Sequence, residues 1–379
     1  MTSAVSRMTV ARLHRRGPAS SVRAPAILLA TLVLACTGAP QALGWSEQSH
    51  ALITEEAVRR LPEPFRGLFS EPDDLKKLQT ASTAPDERRK KDSPLYSAAE
   101  MGSKHFFDID AITKEAYPYK DFPRRLDLIE KQFDSKLLDD KGRAPWAIRG
   151  ALHDLTTAFV GGRTEEVFRA AGDLAHYAAD IHMPFHTTDN YDGQLSGNSG
   201  IHKALEIGLA HRYKDAFAAE LQKDRREALY LDAVEPALIE WIIRANGRVP
   251  LCLEADTEAR RRSNYSPKEF EKPKVDSAGK AIEPSDLDDL ASERAKPYYT
   301  ALKEELDKRG NPMEIQMREA AAHVAQLLYT AWTDAGKPVS LSAPAAKPAE
   351  TQFPTWLVAV GFLIMLLAIL PRRRPAAKG

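Results

Sequence analysis

Two pairs of potential metal ligands, each spaced four residues apart, most constrain what this chain can fold into. The segments read HYAADIHMPFH (176–186) and IHKALE (201–206). On a helix, residues four apart share a face. His176 with Asp180, and His202 with Glu206, therefore each present a nitrogen and an oxygen donor to one centre if both segments are helical. His186 falls just past Pro184, where the first helix has to end or distort. Three side chains, His186, His202 and Glu206, leave an open coordination position, as catalytic rather than structural zinc sites do. Taken alone, a helical histidine one turn from an acid is equally an ordinary structural pair. The intervening TTDNYDGQLSGNSG is rich in turn formers and can return a helix to the same centre. Asp189, Asn190 and Asp192 within it suit either outer partners of the ligands or plain loop positions.

The remainder reads as helical. No repeat or dense β-alternation stands out, and the spacing predicts helices near 48–61, 121–138, 145–160, 164–180, 201–221, 225–246, 286–308 and 312–334. Gly161 and Gly162 separate the third from the fourth. Residues 45–334 suffice for one all-α domain with a sizeable core. The polar, proline-bearing stretch 262–285 is expected to be a surface insertion.

The two ends differ from this domain. Arg12, Arg15, Arg16 and Arg23 make a basic stretch ahead of the apolar run PAILLATLVLA, and Ala-Leu-Gly precedes Trp45. Residues 1–44 thus resemble a cleavable signal peptide. An uncleaved anchor, or lipidation at Cys36 in VLAC, are the alternatives. Residues 335–354 form an Ala/Pro-rich linker. Residues 355–371 include the uncharged WLVAVGFLIMLLAIL and are expected to be a transmembrane helix, with the basic tail 372–379 in the cytoplasm. This implies an exported domain anchored on the extracytoplasmic side of the cell envelope. After signal removal only Cys252 remains, so no intrachain disulfide can form, and bound metal is the expected stabiliser. Acidic and basic residues balance at 53 each over the whole chain. There is no polybasic footprint for nucleic acid, and no obligate protein partner is evident.

Further ligand types lie upstream. Trp45 begins the expected mature chain, and His50 follows it by five residues. Asp86 sits in TAPDERR, where it equally suits a helix N-cap. His105 sits in SKHFFDI, where a histidine between aromatics is often a core residue. Placed in order, WxxxxH … HxxxDxxxxxH … HxxxE resembles the superfamily of bacterial zinc-dependent phospholipases C and fungal-type single-strand nucleases, over roughly residues 45–240. That resemblance implies an all-helical fold and three zinc ions. One ion would be held by Trp45 through its free amine and carbonyl, with His50 and a bridging Asp180. A second would take Asp86, His105, His176 and Asp180. The third would take His186, His202 and Glu206. His182 lies inside the motif, at a position where neighbouring polar residues could line the site, while His153, His211 and His323 read as structural or surface residues.

The chemistry so implied is phosphodiester hydrolysis by a zinc-activated water. Asp86 would orient or deprotonate that water, and Asp180 would bridge two ions, which makes these two the catalytic candidates. The chain has no P-loop and no GxSxG elbow. A terminal Glu206, a short His186–His202 loop and an anchoring tail favour phospholipid head groups as substrate. The DGQLSGN stretch loosely echoes a Gly-Gly-Asn motif of the nucleases and keeps single-stranded nucleic acid open as the alternative. Phe106, Phe107, Tyr177, Phe185 and Tyr191 suit an acyl pocket, a base pocket or the core. A non-catalytic, metal-stabilised surface module is the third reading.

Overall fold

The computed structural model describes residues 45–69, 71–90, 93–97, 103–265, 274–275, 281–282 and 295–341. The expected signal peptide, transmembrane helix and basic tail lie outside them. Among the described residues, no helix is long and apolar enough to cross a membrane.

The fold is all-α. Its helices are α1 (Glu47–Arg59), α2 (Pro72–Arg89), α3 (Ile109–Ile112), α4 (Leu126–Gln132), α5 (Ser135–Lys141), α6 (Ala144–Gly161) and α7 (Thr164–Asp180). There follow α8 (Ile201–Lys203), a π-helical turn (Ala204–Leu209), α9 (Ala210–Arg212) and α10 (Lys214–Leu221). The chain continues through α11 (Val234–Asn246), α12 (Val249–Ser263), α13 (Lys296–Lys308) and α14 (Pro312–Asp334).

Helix α7 is the axis of the fold. It packs against α6, α2 and α14, and α1 closes over α2 and α14. Every residue from Ala170 to Asp180 is buried, so the helix that carries two ligands is surrounded by protein. Two features set its ends. Gly162, at φ 60°, terminates α6 in a left-handed cap. After Asp180 the chain passes into a short 3-10 turn over Pro184–His186, since proline cannot continue the α7 hydrogen-bond ladder. An aromatic cluster anchors the start of the domain: Phe65 stacks on Trp332 at 4.8 Å and meets Phe69 and Phe159 edge-on.

The structure departs from the helical spacing in several places. Helix α2 was not expected, because its sequence is polar and contains Pro85. It forms because tertiary packing on α7 outweighs local propensity. Helix α12 was likewise not expected, and it runs to Ser263, so the insertion begins later than 262. Within that insertion Lys274–Val275 pairs antiparallel with Ala281–Ile282. The segment 121–138 is two short helices, α4 and α5, rather than one, with Asp134 capping α5 through Lys136 N and Leu137 N. Helix α11 starts at Val234 rather than 225. Residues 335–341 pack back on the domain instead of starting a free linker. Trp332 Nε1 donates to Pro338 O at 2.9 Å, and Thr164 Oγ1 donates to Leu341 O at 3.1 Å.

The approach of α2 to α7 depends on Gly172. A Cβ there would stand 2.5 Å from the Ala81 carbonyl carbon and 2.6 Å from its oxygen. Only glycine lets the two backbones come this close.

Candidate metal centre

Helices α1, α2 and α7 converge with the turn at His105. Asp180, at the last position of α7, occupies the middle. Its Oδ1 lies 3.4 Å from His50 Nε2 and 3.9 Å from His186 Nδ1. Its Oδ2 lies 2.9 Å from His105 Nδ1 and 3.3 Å from His176 Nε2. Asp86, near the end of α2, places Oδ1 3.7 Å from His176 Nε2 and 3.8 Å from His105 Nδ1. Asp86 is inside a helix and caps nothing, which corrects the N-cap alternative. Farther along, His202 Nε2 and Glu206 Oε2 stand 3.5 Å apart. Glu206 sits in the π turn, a rare form common at functional sites. The His202 ring meets His186 at 5.0 Å.

These side chains form three groups that can hold a metal ion: His50–His176–Asp180, Asp86–His105–His176 and His186–His202–Glu206. In each, the donor atoms lie within 4.8 Å of one another. Eight of the nine expected ligands are thus brought together. The ninth, Trp45, is buried, and its indole Nε1 donates to Ala179 O at 3.0 Å. The ring serves packing. It seats the expected mature start of the chain beside the end of α7.

Two features suit the groups to a cation. The first is orientation. His176 Nδ1 donates to Ser82 O at 2.8 Å and His186 Nδ1 donates to His105 O at 2.7 Å. A histidine whose Nδ1 is so held carries its lone pair on Nε2, the arrangement found around metals. The second is unmet demand. His50 Nε2, His105 Nε2, Asp180 Oδ1, His202 Nε2 and Glu206 Oε1 are buried without a hydrogen-bond partner. Buried polar atoms are rarely left so, and each costs about 1–3 kcal/mol. Nitrogen and carboxylate donors of this kind suit zinc among the divalent ions.

Electrostatics divide the groups. Burial opposes ionisation of Asp180 and Asp86, yet His176 and its neighbours outweigh it and hold both carboxyls below the usual range, Asp180 well below. Burial also opposes charging of His176, but Asp180 and Asp86 lift it to about 9. Burial pushes His105 down to about 4 and lowers His50. In the third group burial drives Glu206 well above its ordinary value and His202 well below.

Sequence reasoning missed Arg89. It lies one turn beyond Asp86 on α2, is 7 % exposed, and places Nη1 3.4 Å from Asp86 Oδ1. Its charge is felt at His105, His202 and Glu206. The only signal in the sequence was its i+3 spacing from Asp86. His182 points away from the ligands, with Nδ1 on Ala178 O and Nε2 against His323 Nδ1, both at 2.7 Å. Phe107, Tyr177 and Phe185 are core residues. Asp192 is a positioning group, accepting from Gly200 N and His202 N at 2.8 and 3.3 Å.

A scan against protein-family models finds no match for this chain, and a search of curated proteins finds none either.

Proposed function

We propose that this protein is a zinc-dependent phosphodiester hydrolase holding three ions, and that it cleaves phospholipid head groups. The observation that carries the reading is the contiguity of the three ligand groups. Two share His176, and several of their nitrogen and carboxylate atoms, His50 Nε2, Asp180 Oδ1 and His202 Nε2 among them, are left without a hydrogen-bond partner. A structural zinc site closes four ligands around one ion; the His186–His202–Glu206 group offers three. Zinc bound in these groups supplies Lewis acidity toward a phosphoryl oxygen and toward a water nucleophile.

The protein groups then have distinct tasks. Asp86 is the most exposed ligand, with 15 % of its side chain accessible. Kept ionised by the facing histidines, it accepts a proton from the attacking water through a carboxylate oxygen. Arg89 offers a buried guanidinium to a non-bridging phosphate oxygen, a charge-assisted contact. Asp180 holds the centres in register. The Asn198 amide, which gave the loop its nuclease-like appearance, is engaged with Asp256 and Thr257 on α12. That leaves the loop without this group for reading a base and favours the lipid reading.

The test offers the zinc-loaded protein phosphatidylcholine vesicles and single-stranded DNA together, with products identified by mass spectrometry. Phosphocholine with diacylglycerol supports the proposal. Nucleotides or oligonucleotides move the protein to nuclease chemistry. Release of neither from folded, zinc-loaded protein contradicts both.

A further inference from the structure

The segment 187–200 joins His186 to His202 and sets how far apart these two ligands stand. It contains no ligand, yet both of its ends are pinned by side chains from the second half of the chain, where no motif is legible. At its start, Asn246 on α11 donates from Nδ2 to Thr187 O at 2.7 Å and accepts from the Tyr119 hydroxyl at 2.8 Å. At its far end, Asn198 Nδ2 donates to Asp256 Oδ2 at 2.7 Å. Asp256 Oδ2 also accepts from Arg260 Nε at 2.6 Å, and its other oxygen accepts from the Tyr298 hydroxyl. Arg260 Nη2 in turn donates to Asn198 O at 2.9 Å and Ser199 O at 3.0 Å. Asn246 and Asp256 are both buried, Asp256 completely.

Such a network does more than fill space. A loose loop of this length would have to be ordered each time an ion brought His186 and His202 together, and that entropy would be taken from metal affinity. Pinning residue 187 directly behind one ligand, and residues 198 and 199 just before the other, meets that cost during folding. Asp192 completes the arrangement by capping the His202 backbone.

From this geometry we infer that Asn246 and Asp256 are positioning residues for the third metal centre. They fix the two ends of the 187–200 segment and hold His186 and His202 at the separation at which, with Glu206, they share one ion. The inference rests on the reading of the three groups as zinc centres. It gives α11 and α12 a role in the site although neither carries a ligand.

The experiment measures zinc per chain and zinc affinity of the full-length protein, by elemental mass spectrometry and competition with a chelating dye, beside thermal unfolding. The variants are Asn246→Asp, which places an oxygen against Thr187 O, and Asp256→Asn, which weakens the hold on Arg260. Phe69→Leu, in the aromatic cluster, is the control for general destabilisation. The wild type is expected to hold three ions. Each variant is expected to keep two and to bind the third about 10–100-fold more weakly, the range of outer-partner substitutions. Phe69→Leu is expected to keep all three at a comparable loss of melting temperature. Wild-type affinity for the third ion in either folded variant overturns the inference. So does an equal loss of that ion in the Phe69 control. Because the two pins lie on different helices, one variant decides if the other fails to fold. A wild type that holds no zinc sinks the metal reading itself, and this inference with it.

Discussion

His105 Nδ1 stands 2.9 Å from Asp180 Oδ2, two fully buried side chains drawn together across 75 residues of chain. The other oxygen of the same carboxylate faces His50 at 3.4 Å. On the proposed reading Asp180 bridges two of the ions, since its two oxygens face histidines of two candidate groups. Asp180→Ala is expected to empty both, leaving at most the ion at His186–His202–Glu206. Turnover should fall by more than about 100-fold, beyond the range of outer-partner changes. Three ions per chain in this variant would contradict the bridging role.

Metal removal should cost stability. The chain packs Asp180 and Glu206 where water cannot solvate them, and a buried carboxyl without a cation is unfavourable. Each site filled at 100 times its dissociation constant adds about 2.7 kcal/mol. Stripping with a chelator should lower the melting temperature, and zinc should restore it in a concentration-dependent way. A melting temperature indifferent to zinc would argue against the ligand groups.

On the proposed reading Arg89 meets substrate rather than metal. Arg89→Met should leave three ions in place while kcat/KM falls about 10–100-fold, as befits one lost hydrogen bond to a charged group. Arg89→Lys should recover part of this, since it keeps the charge without the fork. Loss of zinc in Arg89→Met would instead assign Arg89 to holding Asp86.

The close crossing of α2 and α7 at Gly172 makes a separate prediction. Gly172→Ala puts a methyl group against the Ala81 backbone. Overpacking of this kind costs about 1–3 kcal/mol. It also moves Ser82 O away from His176 Nδ1, so zinc affinity at the second centre should fall together with stability. Unchanged unfolding and unchanged zinc binding would show that the helices can separate freely.

Asp108 should make the protein less stable as pH rises. Burial, with the nearby charges of Asp110 and Asp189, lifts its pKa from the ordinary 3.8 to about 8. Between these values the folded chain holds a proton that the unfolded chain has released. Stability attributable to this group therefore falls from about pH 4 to about pH 8, and the penalty is constant above. Asp108→Asn should flatten that slope in urea unfolding followed across the range. An identical slope in the variant would place the dependence elsewhere.

The legible parts of this protein are those written in local spacing. HxxxD and HxxxE gave the ligand pairs, because four residues on a helix span about one turn whatever surrounds it. The limits of α14 and the body of α7 followed from periodicity in the same way. Helix α2 was illegible for the same reason: it is polar, it contains Pro85, and its helicity depends on a partner more than 80 residues away. Asp86 therefore had a helix cap as its equal alternative, and Arg89 did not register.

Sequence by itself determined the ligand types, their pairing within helices and an all-helical fold. Tertiary structure alone decided that Asp86 and His105 reach the His176–Asp180 pair, that Gly172 sets the distance between their helices, and that Asn246 and Asp256 hold the loop between His186 and His202. The difference is physical. Spacing along a helix is fixed by backbone geometry within a few residues, whereas a ligand group assembled from α1, α2, α7 and a turn depends on packing between distant segments, which no local pattern encodes.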